Sequence, residues 1–344
     1  MMDPVTTVTV TRLPGGAFEL TWDDVVGRAP IAVRAALDVD SLATAPIVAA
    51  ADGRVEVAQL APGARHYFLL EPAAGGEPLV VAERAVTLAG GVNFRDVGGY
   101  RSEDGRRIRW GRLFRSGHMA NFTAGDKNTF AALGIRTVCD FRLAEERAAE
   151  SSELPGPPQL HVLGIEPGLG DKFFFHRLFE RTDDPRELMD AMRAMLVSLV
   201  RGVASRYGRL FEVLLEDPPG AVLMNCSAGK ERTGIGVALV LSALGVPRET
   251  ILYDFMLSGT YFPAEAEVPR VLEKYGVKRR GAAGRALIMP LLETHAEFLE
   301  AAFAAIDEDF GSSAAFLAHH FGLGPAERAR LRDIYTVRGE DLIT

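Results

Sequence analysis

The stretch "AVLMNCSAGKERTGIGVALVLSAL" at residues 221–244 decides how the second half of the chain folds. Its first five residues form an apolar run typical of a short buried strand, and residues 234–244 carry the apolar spacing of a buried helix. A glycine-containing turn between them holds Cys226, one of only two cysteines in the chain, and Arg232 six residues later. A strand, a turn and a helix in this order predict an α/β domain.

The same alternation of strand and helix patterns continues outward from this stretch, over residues 90–344. Residues 135–141, "IRTVCDF", read as a second buried strand. Thr123 followed by Asp126 predicts a helix start, and Gly134 a helix stop. Helical spacing covers residues 123–133, 185–215, 234–244 and 293–307. We therefore expect a central, mainly parallel sheet flanked by helices.

Residues 1–89 have a different character, with short β-rich runs and no helical spacing. The runs cover residues 5–11, 17–22, 31–37, 55–60, 66–71 and 79–88. Turn signals such as Pro14-Gly15-Gly16 separate them. The stretch "LAPGARHYFLLEP" at residues 60–72 resembles the late strands of fibronectin type III and immunoglobulin-like modules. We expect a small all-β sandwich domain, and we assign it no chemistry because it holds no cluster of titratable residues.

Composition limits the classes of function. With two cysteines, no disulfide framework is expected, and the first seven residues lack the pattern of a secretory signal, so we expect a cytoplasmic protein. The longest mostly apolar stretch, residues 235–246, is too short to span a bilayer. A net charge of -8 argues against nucleic acid as a partner. The basic cluster Lys278, Arg279 and Arg280 could attract an anion locally, although a solvated surface is the plainer interpretation.

The turn after the first strand is suited to binding an anion. A strand that leads through such a turn into a helix directs successive backbone N–H groups at one point, and the helix terminus adds a positive field. A thiol at that point should be ionised at neutral pH, and the guanidinium of Arg232 matches two oxygens of a tetrahedral anion. We expect phosphate or sulfate to bind in this loop. The expected substrate-binding residues are Ser227, Ala228, Gly229, Lys230 and Gly234.

The same residues are open to three alternative interpretations. A nucleotide-binding P-loop needs a glycine where the chain has Met224 and a Ser or Thr where it has Glu231. A metal site needs more soft ligands than Cys139 and Cys226 provide, so we expect no metal and no cofactor. The third alternative is a plain buried cysteine at a strand end.

"CSAGKERTG" resembles the Cys-x5-Arg signature of the cysteine-dependent phosphatases. "VNFRDVGGY", "RWGRLFRSG", "LGIRTVCDFR" and "AIDEDFGSSAAFL" resemble segments of the bacterial tyrosine phosphatase family that includes the mycobacterial tyrosine phosphatase B. The resemblance covers residues 91–331, nearly the whole second domain. It implies a phosphatase that acts on phosphotyrosine in proteins and, as in some members, on phosphoinositides.

The resemblance also implies roles for single residues. Cys226 is the expected nucleophile, Arg232 the transition-state clamp, and Thr233 the donor of a hydrogen bond to the leaving sulfur, with helix capping as its structural alternative. Asp140, which closes the strand "IRTVCDF", is the first choice for the acid that protonates the leaving group. Glu231 is the second choice, since relatives carry aspartate there. A structural ion pair with Arg142 is the alternative role of Asp140.

Other residues carry weaker expectations. Lys230 points to polyanionic inositol lipids, because a second cation in the loop neutralises additional phosphates. Asn225 stands where most relatives have histidine, which leaves a catalytically weak phosphate-binding module as the alternative function. Supporting roles are expected for the motif residues Arg95, Asp96, Arg115 and Ser116. A solvated surface position is the plainer expectation for Arg201, and a buried strand residue for Cys139.

Overall fold

The computed structural model describes residues 8–22, 31–51, 53–61, 63–73, 76–166, 174–202 and 204–342. It is a mixed α/β structure. The strands are β1 (Val8–Arg12), β2 (Phe18–Trp22), β3 (Ile31–Ala36), β4 (Ile47–Ala51), β5 (Arg54–Val57), β6 (Tyr67–Pro72), β7 (Leu79–Ala82), β8 (Arg95–Asp96), β9 (Arg107–Ile108), β10 (Leu113–Ser116), β11 (Ile135–Asp140), β12 (Gln159–Val162), β13 (Ala221–Asn225) and β14 (Thr336–Val337).

The helices belong almost entirely to the second half of the chain. They are α1 (Ala124–Ala132), α2 (Ala144–Ala149), α3 (Phe174–Arg181), α4 (Pro185–Arg201), α5 (Gly208–Leu215), α6 (Glu231–Ala243), α7 (Arg248–Met256), α8 (Ser258–Tyr261), α9 (Ala264–Lys274), α10 (Gly281–Leu292), α11 (Ala296–Phe310), α12 (Ser313–Phe321) and α13 (Pro325–Tyr335). Among the residues described, no helix has the length and apolar character needed to cross a membrane.

The central sheet has five strands in the order β12-β11-β13-β10-β8. The first four run parallel, and β8 pairs antiparallel with β10. The expected mainly parallel sheet is therefore confirmed. Asp140 lies opposite Asn225 at the carboxyl ends of β11 and β13. Because parallel strands bring their carboxyl ends to one edge, the loops that follow them share a site there.

Helix α6 lies in the centre of the core. Eleven of its thirteen residues are buried, and it follows β13 after a five-residue loop. The helix predicted over residues 185–215 is wrong in part, since α4 ends at Arg201 and a short 3-10 turn, Ala204–Tyr207, precedes α5. Helical periodicity alone does not register such a break, because apolar spacing resumes after it.

The N-terminal strands form two antiparallel sheets, ordered β1-β2-β5 and β4-β3-β6-β7. Buried residues from both sheets meet in one apolar cluster that includes Phe18, Leu20, Ile31, Val33 and Phe68. Strand β4 was not predicted, since its alanines have low β-propensity. Of the strand predicted over residues 5–11, the first three residues lie outside the described part of the chain, and β1 covers the rest.

The N-terminal sheets contact the rest of the chain through buried polar bonds. Trp110 donates its indole N–H to the carbonyl oxygen of Val80 at 2.9 Å, and Arg65 pairs with Asp96 at 3.1 Å. The carboxylate of Asp96 also accepts from the backbone N–H groups of Gly98 and Gly111. Among the described residues, the side chain of Asp96 therefore supports this junction.

Candidate active site

Cys226 lies directly after β13, where the chain turns towards α6. Its side chain is buried, and the backbone N–H of Gly229 donates a hydrogen bond to its Sγ at 3.2 Å. Among the residues described, no side chain caps the start of α6 at Lys230. The first N–H groups of this helix are thus available to an anion in front of the sulfur.

The carbonyl groups of the loop turn away from Cys226. The carbonyl oxygen of Ser227 accepts a hydrogen bond from the backbone N–H of His118 at 2.9 Å. That of Gly229 accepts from Asn93 Nδ2 and from Arg115 Nη2, both at 2.9 Å. Within one trans peptide group the C=O points opposite to the N–H of the next residue. Fixing the carbonyls of Ser227 and Gly229 behind the loop therefore directs the N–H groups of Ala228 and Lys230 forwards.

Glycine is required at the centre of the loop. Gly229 has φ +70°, which L side chains rarely adopt, and a Cβ there would lie 2.5 Å from the backbone of Ser116 and Gly117. The loop can therefore pack directly on the segment that follows β10. Gly234 has a similar constraint, because its Cβ would lie 2.8 Å from the ring of Phe255.

A sealed charge cluster supports the loop from behind. Arg115 and Arg95 both pair with Asp254, and all three side chains are almost completely buried. Burial alone raises the pKa of Asp254, but the charges of Arg115 and Arg95 outweigh it and lower the pKa to about 2. Arg95 also donates to Asn93, which binds Gly229. The hydroxyl of Ser116, by contrast, donates to the adjacent carbonyl oxygen of Gly117 and has no other partner among the described residues.

A second charge cluster lies in front of the loop. Arg232 donates from both terminal nitrogens to Glu146, at 2.6 and 2.7 Å, and Ser227 Oγ donates to the same carboxylate at 2.8 Å. Burial opposes ionisation of Glu146, but its bonds with Arg232 and with the N–H of Leu143 lower its pKa to about 2. This carboxylate therefore holds the guanidinium in one orientation beside Cys226.

Glu146 was missed at the sequence level. It is the third residue of α2, and its carboxylate also accepts the N–H of Leu143 at the N-cap. A Glu three residues after a helix start is a recognisable capping signal. The segment "LAEERAAE" offers three glutamates, however, and only the packing of α2 against the loop selects the second of them.

The two acid candidates occupy different surroundings. Asp140 is buried, and Arg142 donates to both of its carboxylate oxygens, at 2.8 to 3.1 Å. The amide of Asn225 approaches the same carboxylate at 3.4 Å. Glu231 lines the cleft with its side chain 18% exposed, 3.5 Å from Lys230 Nζ. These contacts favour Glu231, and the assignment of the acid stays a prediction.

Lys230 lines the cleft, and its side chain is held at the end of α10. Its ammonium group donates to the carbonyl oxygens of Leu291 and Leu292, at 2.6 and 3.0 Å, where α10 ends. It also lies 4.6 Å from the centre of the Phe262 ring. A cation at the last carbonyls of a helix is a stabilising arrangement. In this conformation Lys230 anchors α10 over the cleft.

Thr233 is completely buried in the first turn of α6. Its hydroxyl has no hydrogen-bond partner among the described residues. Buried hydroxyls are normally bonded, so the hydroxyl of Thr233 retains an unused donor in the first turn after the loop. Tyr207, which the sequence did not single out, donates its hydroxyl to the carbonyl oxygen of Arg232 at 2.9 Å.

A cleft of about 400 Å³ opens above the loop. Cys226, Ser227, Ala228 and Arg232 form its floor. Its walls combine apolar and cationic side chains, including Phe175, Met192, Phe262, Arg270, Lys274 and Tyr275. A larger cavity, of about 540 Å³, lies elsewhere, at the junction with the N-terminal sheets. The smaller cleft is the candidate active site, because it alone of these two holds the thiol and the anion-binding loop.

Other residues with sequence-level expectations lie away from the cleft. Arg201 pairs at the surface with Asp309 and Glu308. Cys139 is a free, buried thiol, and burial raises its pKa to about 12. Arg280 pairs with Asp183 at 2.7 Å. Among the described residues, no group of three or more His, Cys, Asp or Glu side chains is placed to hold a metal ion.

Comparison with known proteins gives matches over the part of the chain that contains the candidate active site. The sequence model of the tyrosine phosphatase family matches residues 86–337. A protein of Cupriavidus necator, named as a tyrosine-protein phosphatase, is 31% identical over 225 residues, which cover 64% of this chain and 78% of the relative. The triple specificity protein phosphatase PtpB of Mycobacterium tuberculosis is 29% identical over 282 residues, covering 72% of this chain and 97% of PtpB.

A search of solved structures found a weaker likeness. The crystal structure of TpbA from P. aeruginosa covers 54% of this chain and 90% of its own, with 18% identity and a TM-score of 0.25.

Proposed function

This chain belongs to the tyrosine phosphatase family, and from that premise we propose that it hydrolyses phosphotyrosine, without a metal ion, through a phosphocysteine intermediate. One observation carries the proposal. The carbonyl oxygens of Ser227 and Gly229 are bonded from behind the loop, the N–H of Gly229 donates to Cys226 Sγ, and Glu146 holds the guanidinium of Arg232 in place. This arrangement fits a tetrahedral phosphoryl group directly in front of a nucleophile.

In the first step, Cys226 Sγ attacks phosphorus in line with the ester oxygen. A sulfur–phosphorus bond forms while the phosphorus–oxygen bond to the tyrosine breaks. The loop amides and Arg232 bind the three equatorial oxygens, whose charge increases towards the transition state. Their positions are set before substrate binds, so little reorganisation is needed.

The leaving tyrosinate takes a proton from a carboxylic acid. We assign this role to Glu231, because its carboxyl faces the cleft while Arg142 occupies both oxygens of Asp140. In the second step, water attacks phosphorus, inorganic phosphate leaves and the sulfur regains its electron pair. Glu231 can accept the proton from this water. Thr233 donates a hydrogen bond to the departing thiolate.

The intermediate provides the decisive experiment. Rapid acid quench of the enzyme with ³²P-labelled phosphotyrosine peptide should trap one phosphoryl group per chain, and p-nitrophenyl phosphate should be hydrolysed in the presence of EDTA. The Cys226→Ser variant should retain binding of phosphate and lose both the label and the turnover. A phosphate-binding module without catalysis, the alternative raised by Asn225, would bind phosphate but form no phosphocysteine in the wild type.

The proton donor is tested with two leaving groups. Glu231→Gln should slow hydrolysis of phosphotyrosine peptide by about 10²- to 10⁴-fold, the range for general acid catalysis. It should affect p-nitrophenyl phosphate much less, since nitrophenolate leaves without a proton. Asp140→Asn serves as the matched control. If Asp140→Asn shows the dependence on leaving group and Glu231→Gln does not, the roles are reversed.

Phosphoinositides are a second proposed substrate class. Arg270 and Lys274 line the cleft beyond the loop, where Arg270 pairs with Glu267 and lies 4.0 Å from Glu150, and the relative PtpB is named a triple specificity phosphatase. Extra phosphates on an inositol ring would find these cations within the same cleft. Parallel assays with phosphotyrosine peptides and soluble inositol phosphates measure the preference. Equal loss of both activities in a doubly neutralised Arg270→Gln/Lys274→Gln variant would contradict this role.

The N-terminal region is proposed to form a separate fibronectin type III or immunoglobulin-like sandwich domain over residues 1–89. The apolar cluster shared by its two sheets supports this proposal. The small number of cysteines supports a cytoplasmic location. Thermal unfolding of the whole protein should show two separate transitions if the domains are separate, and fractionation of cells tests the location.

A further inference from the structure

The larger of the two cavities described above, here called the junction cavity, lies at the opposite end of the central sheet from the candidate active site. Arg112 and Gly134 line it, just before β10 and β11, whereas the carboxyl ends of these strands reach the catalytic loop. Its volume of about 540 Å³ falls within the range of about 300–1,000 Å³ for small-molecule sites. Apolar side chains form much of its wall: Tyr67, Val80, Ile108, Trp110, Leu133 and Val337.

Most of the charged groups around the junction cavity have partners. Arg112 pairs with Asp217 at 2.8 Å, and Asp333 pairs at 2.9 Å with Arg106. Asp38 accepts hydrogen bonds from the backbone and the hydroxyl of Ser41. These groups are therefore committed to the protein itself.

Two arginines in the same wall, Arg107 and Arg109, form no ion pair with a described carboxylate. The half-buried side chain of Arg109 makes no hydrogen bond or ion pair with any described residue. Within the described part of the chain, the side chain of Arg107 has a single weak bond, from Nη1 to the carbonyl oxygen of Gly99 at 3.5 Å, and its Nε is buried without a partner. A guanidinium carries five N–H donors, so both side chains retain unused donors in the cavity.

The partial burial of Arg109 in this wall has an electrostatic cost. Burial lowers the pKa of Arg109, as does the like charge of Arg112, while the carboxylates of Asp40 and Asp341 act in the opposite direction. A partly desolvated cation without a bonded partner destabilises the folded state. An anion bound beside Arg109 would offset this cost, and an apolar wall opposite would receive the rest of the ligand.

We propose that the junction cavity is a second ligand site, which binds a small organic anion with a flat apolar body. The body packs against Trp110 and Tyr67, and the anionic group accepts hydrogen bonds from Arg109 and Arg107. A planar guanidinium matches the two oxygens of a carboxylate, sulfonate or phosphate better than an ammonium does. The site is independent of the catalytic loop and does not need its activity.

The probe for this proposal is 1-anilinonaphthalene-8-sulfonate, which has an aromatic body and one anionic group. Its fluorescence is titrated against the full-length protein with orthovanadate present, so that the catalytic loop is occupied. We expect one saturable site. Arg109→Gln should weaken the affinity by about 5- to 20-fold, below the full effect of a buried charged hydrogen bond because Arg109 is only half-buried. The uncharged analogue N-phenyl-1-naphthylamine should change by less than twofold.

Two further variants locate the site. Ala132→Trp places a large side chain at the rim, from an exposed helix position, and should abolish binding of both probes. Arg330→Gln, an exposed charge change on α13 outside the cavity, is the matched control and should bind the sulfonate like the wild type. All variants should keep wild-type turnover of p-nitrophenyl phosphate. Absence of a saturable site, or equal sulfonate affinity in the wild type, Arg109→Gln and Ala132→Trp, overturns the proposal.

Discussion

The loop of residues 226–230, here called the catalytic loop, lies between two arginine–carboxylate clusters that differ in burial and in charge. Behind it, Arg95 and Arg115 share Asp254, and their side chains are 0, 0 and 2% exposed. In front of it, Arg232 pairs with Glu146, whose side chains are 9 and 25% exposed. The rear cluster has no access to substrate, whereas the front cluster borders the cleft. The rear ion pairs therefore stabilise the conformation of the loop, and the front ion pair orients a side chain in the cleft.

The two clusters also differ in their charge. The rear cluster has two guanidinium groups and one carboxylate, so one positive charge remains behind the loop. Its hydrogen bond to the Gly229 carbonyl orients that peptide towards the thiol. The front cluster is balanced, and in the proposed reaction a phosphoryl group would share Arg232 with Glu146. The rear cluster thus contributes a constant field that favours anions, and the front one responds to the ligand.

The strongest test of the front cluster is Arg232→Lys. Lysine keeps the charge but cannot bind Glu146 and two phosphoryl oxygens in one plane. We expect kcat/KM for p-nitrophenyl phosphate to fall by about 10³- to 10⁵-fold, the range for arginines that stabilise phosphoryl transfer. Thermal unfolding monitors the fold. A variant with more than a tenth of wild-type activity would show that charge alone is sufficient at this position.

Asp254→Asn tests the rear cluster. Removing the carboxylate leaves two buried guanidinium groups without a counter-charge, so the free energy of unfolding should fall by about 3–5 kcal/mol. Urea unfolding followed by tryptophan fluorescence measures this loss. The kcat/KM of the folded protein should fall by less than tenfold, since no atom of Asp254 borders the cleft. A large loss of activity at unchanged stability would show that the rear cluster acts in the reaction and not in stability, and would contradict this prediction.

Sequence alone predicted the parts of this site that depend on local order. The strand–turn–helix unit gave the positions of Cys226 and Arg232, and β13 has the predicted bounds, Ala221–Asn225. The N-cap at Thr123 and the stop at Gly134 are also as expected. Each of these features is fixed by interactions within about ten residues of chain. Periodicity and capping rules apply at that range.

The parts that were missed depend on contacts distant in sequence. Glu146 reaches Arg232 across 86 residues, and Arg115 reaches Asp254 across 139. Lys230 lines the cleft, and its bond to the end of α10 could not be read from the sequence, although its role towards a ligand stays a prediction. No local pattern distinguishes the glutamate that meets a loop from its neighbours on the same helix. Only the packing of the helices selects these partners.

Glu146→Gln tests the front cluster by removing the charge that pairs with Arg232. Glutamine is similar in size and still accepts from Ser227, but it carries no charge to orient Arg232. We expect kcat/KM to fall by about 10- to 100-fold, as for residues that orient a catalytic group. Glu145→Gln, the neighbouring residue on α2, is the matched control and should keep wild-type activity. An effect of equal size in the control would assign the loss to α2 as a whole.

The pH dependence of stability tests the charge on Glu146. Its folded-state pKa of about 2 lies below the usual value for glutamate, so its contribution is complete above the unfolded pKa of about 4.3 and declines as pH falls towards 2. We expect the wild type to exceed Glu146→Gln by about 2 kcal/mol at pH 6, after allowance for its partial exposure. Urea unfolding should show this difference reduced by more than half at pH 3. A constant difference would mean that the carboxylate is not stabilised by Arg232.

Thr233→Val gives the smallest expected effect and concerns the step after the first phosphoryl transfer. The buried hydroxyl has no partner among the described residues, so its removal leaves no bonding group unsatisfied and should not lower stability. Loss of one neutral hydrogen bond to the departing sulfur should lower kcat by about 3- to 10-fold. The phosphocysteine should then accumulate, and its level after rapid quench measures this directly. Lower kcat without accumulation would place the effect of Thr233 in the first step, and its assigned role would be wrong.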